Sequence, residues 1–243
     1  MELPGRSAKR PCRREQRLVV AIDGPAGAGK STVAGLLAQR LGFQLLDTGA
    51  LYRVVALHLL RQGIEPEGEN IPETVVASFD FRMEPADGSM RLFLGGEEVT
   101  HLIRDERISA AASVFSTNPR VRKALLDLQR SAGERWNLVA EGRDMGTVVF
   151  PDAAIKFFVT ADLEVRSKRR CLELLARGED VEPREITAEM RARDHRDESR
   201  EASPLVKAHD AICIDTTNLV QKEVVDKMMS HIRVTLLGRG EFE

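Results

Sequence analysis

The run Val20-Ala-Ile-Asp-Gly-Pro-Ala-Gly-Ala-Gly-Lys-Ser-Thr32 places Gly24, Gly29, Lys30 and Ser31 at the spacing G-x-x-x-x-G-K-[ST]. Its flanks dictate a strand, a tight turn and a helix. The apolar Leu18–Ile22 reads as a buried parallel strand, and Val33, Leu36, Leu37 and Leu41 recur at helical spacing. In that context a glycine-rich turn lets backbone N–H groups converge on the α- and β-phosphates of a nucleotide at the positive end of a helix. Gly24, Pro25, Ala26, Gly27, Ala28, Gly29, Lys30, Ser31 and Thr32 are therefore the candidate donor-nucleotide site. Lys30 can reach the β/γ oxygens, and the Ser31 hydroxyl can join the coordination shell of Mg²⁺ together with waters. The plainer alternative is a turn that merely links a strand to a helix. It leaves the lysine and hydroxyl at the helix start without a purpose.

With 243 residues and 42% hydrophobic content, the chain can bury one substantial core with small appended lobes. A formal net charge of −2 gives no reason to expect a nucleic-acid partner, although 36 Lys+Arg and 38 Asp+Glu leave room for strong local clusters. Cys12, Cys171 and Cys213 lie far apart in no C-x-x-C arrangement, which argues against a disulfide framework or a zinc site and for a reducing, cytoplasmic setting. No apolar run approaches the roughly 18 residues needed to span a bilayer, so no membrane partner is expected. Residues 1–17 carry Arg6, Lys9, Arg10, Arg13, Arg14 and Arg17 with two prolines and no apolar stripe, and read as a disordered basic tail. The remainder, 18–243, reads as one domain.

Strand-like runs recur at Leu18–Ile22, Gln44–Leu46, Leu138–Glu141, Ala154–Thr160 and Ala211–Ile214, separated by helical periodicity. The alternation predicts an α/β fold with a parallel sheet of about five strands and helices on both faces. Ligands then bind at the carboxyl ends of the strands, where Asp23, Asp47, Glu141 and Asp215 fall. Within 64–104 the rhythm breaks. Ser78–Glu84 alternates, Ala86–Ser89 is a turn signal, and Met90–Leu94 alternates again before Gly95-Gly96. This predicts a small antiparallel insertion hung on the sheet. A densely charged stretch over 170–200 predicts a flap that closes on anions.

A regulatory GTPase would carry a guanine-reading Asn-Lys-x-Asp segment, and a motor or helicase a hydrophobic strand ending in Asp-Glu; neither is present. Kinases of small metabolites remain. At Leu45-Leu-Asp-Thr-Gly-Ala-Leu-Tyr-Arg53, Asn118-Pro-Arg-Val-Arg122, Ala140-Glu-Gly-Arg-Asp-Met-Gly-Thr-Val-Val-Phe-Pro151, and Arg193-Asp-His-Arg-Asp-Glu-Ser-Arg200 followed by Ser203-Pro-Leu205, the chain resembles the bacterial cytidylate kinases of the P-loop nucleoside monophosphate kinase family. The resemblance implies transfer of the ATP γ-phosphoryl group to CMP and dCMP, with Mg²⁺; a monomer is expected because the site reads as complete within one chain.

The chemistry of such a site stands on its own. A phosphate monoester with a second pKa of about 6 is already an anionic nucleophile at neutral pH, so no general base is needed. Repulsion between two phosphate groups must instead be relieved, and bidentate guanidinium groups do this while aligning them. Lys30, Arg143, Arg193, Arg196 and Arg200 are the candidate catalytic cations. By resemblance, Arg53, Arg143 and Arg200 hold the acceptor phosphate, Arg193 and Asp197 approach the ribose, and Thr48 and Tyr52 lie near the monophosphate. Asp47 completes this candidate set. Glu141 stands where many relatives have aspartate. Cytosine presents an amino donor beside two acceptors, so a carboxylate and a guanidinium would read it. Asp144 and Arg122, with Ser113, match the family positions for those roles. Two other readings stay open: a kinase of UMP or a shikimate-like alcohol, with Asp47 as base, and a non-catalytic nucleotide-binding module. Arg122 could decorate a helix surface, Arg196 could simply balance Asp194 and Asp197, and His195 reads as a surface residue. Trp136 and Phe79 are expected in the core.

Overall fold

A computed structural model describes residues 17–66, 71–86 and 88–239; most of the expected basic tail and parts of the insertion lie outside these residues. Strands β1 (Val19–Asp23), β2 (Gln44–Asp47), β6 (Leu138–Gly142), β7 (Ile155–Thr160) and β8 (Ile212–Asp215) form one sheet in the order β2-β6-β1-β7-β8. Every pairing in it is parallel, with Asp23 opposite Gly142 and Asp47 opposite Glu141. The carboxyl ends of β1, β2 and β6 therefore open on one rim. Each of the five strand runs expected from the sequence is found, displaced at its ends by about a residue.

The two faces of β1 follow from its period of two. Val19 and Ala21 pack with helices α2 (Thr48–Arg61), α4 (Glu106–Phe115) and α5 (Pro119–Arg135), whose Leu51, Val54, Ala111 and Leu125 are buried there. Val20 and Ile22 pack with α1 (Lys30–Leu41) and α8 (Gln221–Arg239) through Val33, Leu37, Val224, Met228 and Ile232. Both faces being covered, the strand reads as continuous apolar sequence. Phe79 and Trp136 are half-buried against the first of these cores.

After the short α3 (Glu73–Ala77) comes the expected insertion, a separate three-stranded antiparallel sheet of β3 (Phe81–Ala86), β4 (Ser89–Leu94) and β5 (Glu97–Glu98). It is fixed to the main body because Met90, Leu92 and Leu94 share the core with α2 and α4. The charged stretch is a pair of helices, α6 (Leu163–Ala176) and α7 (Pro183–Ser199). Cys171, Leu174, Ile186 and Met190 form its own small core, against which Ala26 of the phosphate loop packs. Among the described residues no helix is long and apolar enough to cross a membrane.

Candidate functional site

The phosphate loop runs from β1 to α1. Gly24 adopts φ 146°, and a Cβ there would stand 1.9 Å from the Val159 carbonyl oxygen of β7. Only glycine fits where the loop leaves the sheet so close to backbone. At Gly27 a Cβ would lie 2.7 Å from Met190 Cε, so helix α7, part of the charged pair expected to form a lid, rests directly on the loop. Gly29 caps α1 in the left-handed region, with no side chain accepting from the first N–H groups of the helix. Those donors are left for an anion.

Lys30 is buried, and its Nζ donates to the Pro25 carbonyl at 2.6 Å. Burial, reinforced by Arg143, lowers its pKa to about 7, against the pull of Glu141 and Asp197. Glu141, at the end of β6, moves the other way. Burial raises it to about 6, Asp47 adds to this, and Lys30 and the Ser31 hydroxyl oppose it.

Beside the loop lies a cavity, which collects ten of the acceptor-site candidates. Thr48, Tyr52 and Arg53 come from α2, Ser113 from α4, Arg122 from α5, Arg143 and Asp144 from the turn after β6, and Arg193, Asp197 and Arg200 from α7 and its end. Five guanidinium groups thus face two carboxylates. Arg143 Nε donates to Asp197 Oδ2 at 2.8 Å, and Arg200 Nη1 is 3.8 Å from Asp197 Oδ1. These arginines hold Asp197 below the usual carboxylate range despite its burial. Arg193 is lowered to about 10 by burial and then by Arg143. Arg53 Nε, Arg122 Nε, Arg193 Nε and Arg200 Nη2 are buried without a hydrogen-bond partner among the described residues. Buried unpaired guanidinium donors are costly, and a phosphate supplies the acceptors they lack.

Arg122 is no surface decoration. It is buried, its Nη1 donates to the Ser116 carbonyl at 3.1 Å, its Nη2 pairs with the buried Asp144, and its guanidinium lies 5.4 Å over the Tyr52 ring. Burial pushes Tyr52 up to about 12. Thr48 is fixed by donating to the Glu141 carbonyl at 2.7 Å.

Three candidates sit apart from the cavity. Asp47 caps α2 by accepting from Ala50 N at 2.8 Å and from Arg53 Nη2 at 3.1 Å. Arg196 reaches Ser113 Oγ at 3.3 Å from outside, while Asp194 pairs with Arg166 and Asp197 with Arg143. Arg196 therefore does not balance those two aspartates. Asp215 is exposed and accepts from Thr217 N at 2.8 Å and Thr217 Oγ1 at 2.6 Å; it makes a turn rather than part of the site. His195 is exposed, as expected.

Two contributors escape sequence reasoning about the site. Asp23 accepts from Met145 N and Gly146 N, both at 2.8 Å, and so anchors the turn that carries Arg143 and Asp144. Arg166 donates to the Ala26 carbonyl at 3.0 Å, to the Ala161 carbonyl at 2.9 Å and to Asp194 at 2.7 Å, tying loop to lid. Position at a strand end hinted at the first; nothing local marks the second.

The chain is similar to known proteins over most of its length. A family model described as cytidylate kinase matches residues 20–234. A cytidylate kinase of Pseudomonas aeruginosa (strain UCBPP-PA14) is 49% identical over 215 residues, covering 88% of this chain and 94% of that protein. One from Pseudomonas entomophila (strain L48) is 45% identical over 219 residues, covering 89% and 96%. Among solved structures, an uncharacterized protein from Eubacterium ventriosum ATCC 27560 superposes with a TM-score of 0.50 at 16% identity, over 90% of this chain and 99% of that one, which speaks to the fold alone. With a sequence match spanning the sheet, the phosphate loop, the arginine-lined cavity and the helical lid, this chain belongs to the cytidylate kinase family.

Proposed function

We propose that this chain transfers the γ-phosphoryl group of ATP to the phosphate of CMP and dCMP, giving ADP and CDP or dCDP. One observation carries the acceptor assignment. The buried Arg122–Asp144 pair lies in the same cavity as Arg53, Arg143, Arg193 and Arg200, so a base reader and a phosphate clamp share one site beside the phosphate loop. Cytosine's amino group would donate to Asp144, and its ring nitrogen and carbonyl would accept from Arg122. Arg53, Arg143 and Arg200 hold the acceptor phosphate, and Arg193 and Asp197 meet the ribose. Lys30 and the lid arginines, Arg196 included, stabilise charge on the group in transfer, for which alignment and electrostatics are the main demands.

Glu141 and Ser31 fit a hard divalent cation: both offer oxygen, and Glu141 Oε1 is buried without a hydrogen-bond partner among the described residues. Mg²⁺ held by the Ser31 hydroxyl, with Glu141 beyond its waters, would neutralise phosphate charge. Asp47, the base an alcohol acceptor would need, is engaged by the α2 N-terminus and Arg53. The cavity holds both a phosphate clamp and a base reader, so the reading needs no second copy, and we propose a cytoplasmic monomer.

Measuring ADP production with CMP, dCMP, UMP, AMP and shikimate in turn tests the assignment. Rates should rise with CMP and dCMP well above the rest. Stimulation by shikimate alone, or none by any acceptor, would overturn it.

A further inference from the structure

Ser203 is the one residue other than glycine with a positive φ among the described residues, at 54°. It also precedes Pro204, where sterics favour extended backbone. The conformation belongs to the return of the chain after α7. Leu205 N donates to the Asp197 carbonyl at 2.7 Å, and Leu205 is buried. Within this return, the Ser203 carbonyl accepts from Arg200 Nε at 2.7 Å. Arg200 is thereby held on two sides, by Ser203 at Nε and by Asp197 at Nη1, while its buried Nη2 has no partner among the described residues.

We infer that Ser203 is a positioning residue for acceptor recognition: its left-handed backbone turns the carbonyl onto Arg200 Nε and so orients the guanidinium toward the acceptor phosphate. The inference rests on the reading of the arginine-lined cavity as the CMP site. The serine hydroxyl has no part in it. What matters is tolerance of the left-handed region, which β-branched residues lack and glycine has.

The test is steady-state kinetics of the full chain with CMP and ATP varied separately, alongside thermal melts. Ser203→Val should raise KM for CMP about tenfold, the worth of a lost hydrogen bond to a charged group, with KM for ATP close to the parent's. Ser203→Thr is a milder β-branched variant should the valine form not fold. Ser203→Gly should restore the parent's KM for CMP. An increase in KM with glycine equal to that with valine would overturn the inference, as would a fall in melting temperature and kcat with both KM values moving together. Arg200→Ala separates the two claims. If it leaves KM for CMP unchanged, the reading of the cavity fails. If it raises KM while Ser203→Val and Ser203→Thr do not, only the role of Ser203 fails. On the Arg200→Ala background, Ser203→Val should add nothing.

Discussion

Lys30 sits where burial and a neighbouring Arg143 act in the same direction, which places its titration near neutrality, at about pH 7. A bound polyphosphate favours the ammonium form, so binding raises this pKa and draws a proton from solvent wherever the free lysine is neutral. The sign follows. Affinity for ATP should be flat below pH 7 and weaken by up to about tenfold per unit above it. Calorimetry at pH 8 in buffers of different ionisation enthalpy should detect uptake of a fraction of a proton, approaching about one, that Lys30→Met abolishes; unchanged uptake in that variant would show that another group is responsible. Asp144 poses the opposite problem, a buried carboxylate satisfied by Arg122. Uracil would set its carbonyl oxygen against it. Asp144→Ala should lower kcat/KM for CMP by roughly ten- to a hundredfold, the usual loss for a buried polar group left unpaired, and lower it less for UMP. The ratio of the two rate constants is the readout, and an unchanged ratio would remove Asp144 from base recognition.

The turn Met145–Val149 that follows β6 is a single π-helical turn, and its start is held by both carboxylate oxygens of Asp23. Gly146 lies so near that a Cβ would stand 3.0 Å from Lys156 Cδ and 3.4 Å from Asp23 Oδ2. Burial raises Asp23 to about 6 even though the two N–H groups oppose it. A carboxyl raised on folding contributes its stability below its unfolded pKa and loses it as pH rises through the folded one. For this shift the loss is about 3 kcal/mol in all, spread from below pH 4 up to pH 7. Asp23→Asn has no such dependence, so urea unfolding should show the parent's advantage over it shrinking by about that amount across the range; a constant difference would refute the assignment. Asp23 also shows where sequence stops being legible. The strands announced themselves because parallel strands covered on both faces are unbroken apolar runs, and the insertion because one face of β4 buries every second residue. The role of Asp23 depends on a partner 122 residues away, brought near by the β1–β6 register. At the end of β8, Asp215 looked equivalent and merely folds onto Thr217. The lid showed its charge and hid its core, because Cys171, Leu174, Ile186 and Met190 are divided between two helices and complete their packing on Ala26.

Across the whole molecule the lid bridges the two halves of the site. On one side Arg166 joins Ala26 of the phosphate loop to Asp194 of α7, and Met190 packs over Gly27. On the other, Arg170 of α6 pairs with Glu106 at the start of α4, and α7 carries Arg193 and Asp197 into the acceptor cavity. On the proposed assignment, donor and acceptor would each restrain one edge of the same helix pair. A closed lid also keeps water from the transferring group, the condition for a kinase that does not waste ATP as a hydrolase. Amide exchange in α6 and α7 should then slow with CMP alone or with a non-hydrolysable ATP analogue alone, and further with both. A ligand at a hundred times its Kd adds about 2.7 kcal/mol to any opening that requires its release, roughly a hundredfold in exchange rate. Exchange followed by mass spectrometry in the four states measures this directly. Equal rates over 163–199 in all four would mean that the helix pair is a fixed wall and that closure belongs to the β3–β5 insertion instead. Slowing with one ligand and no further change with both would confine the lid's response to that ligand's side.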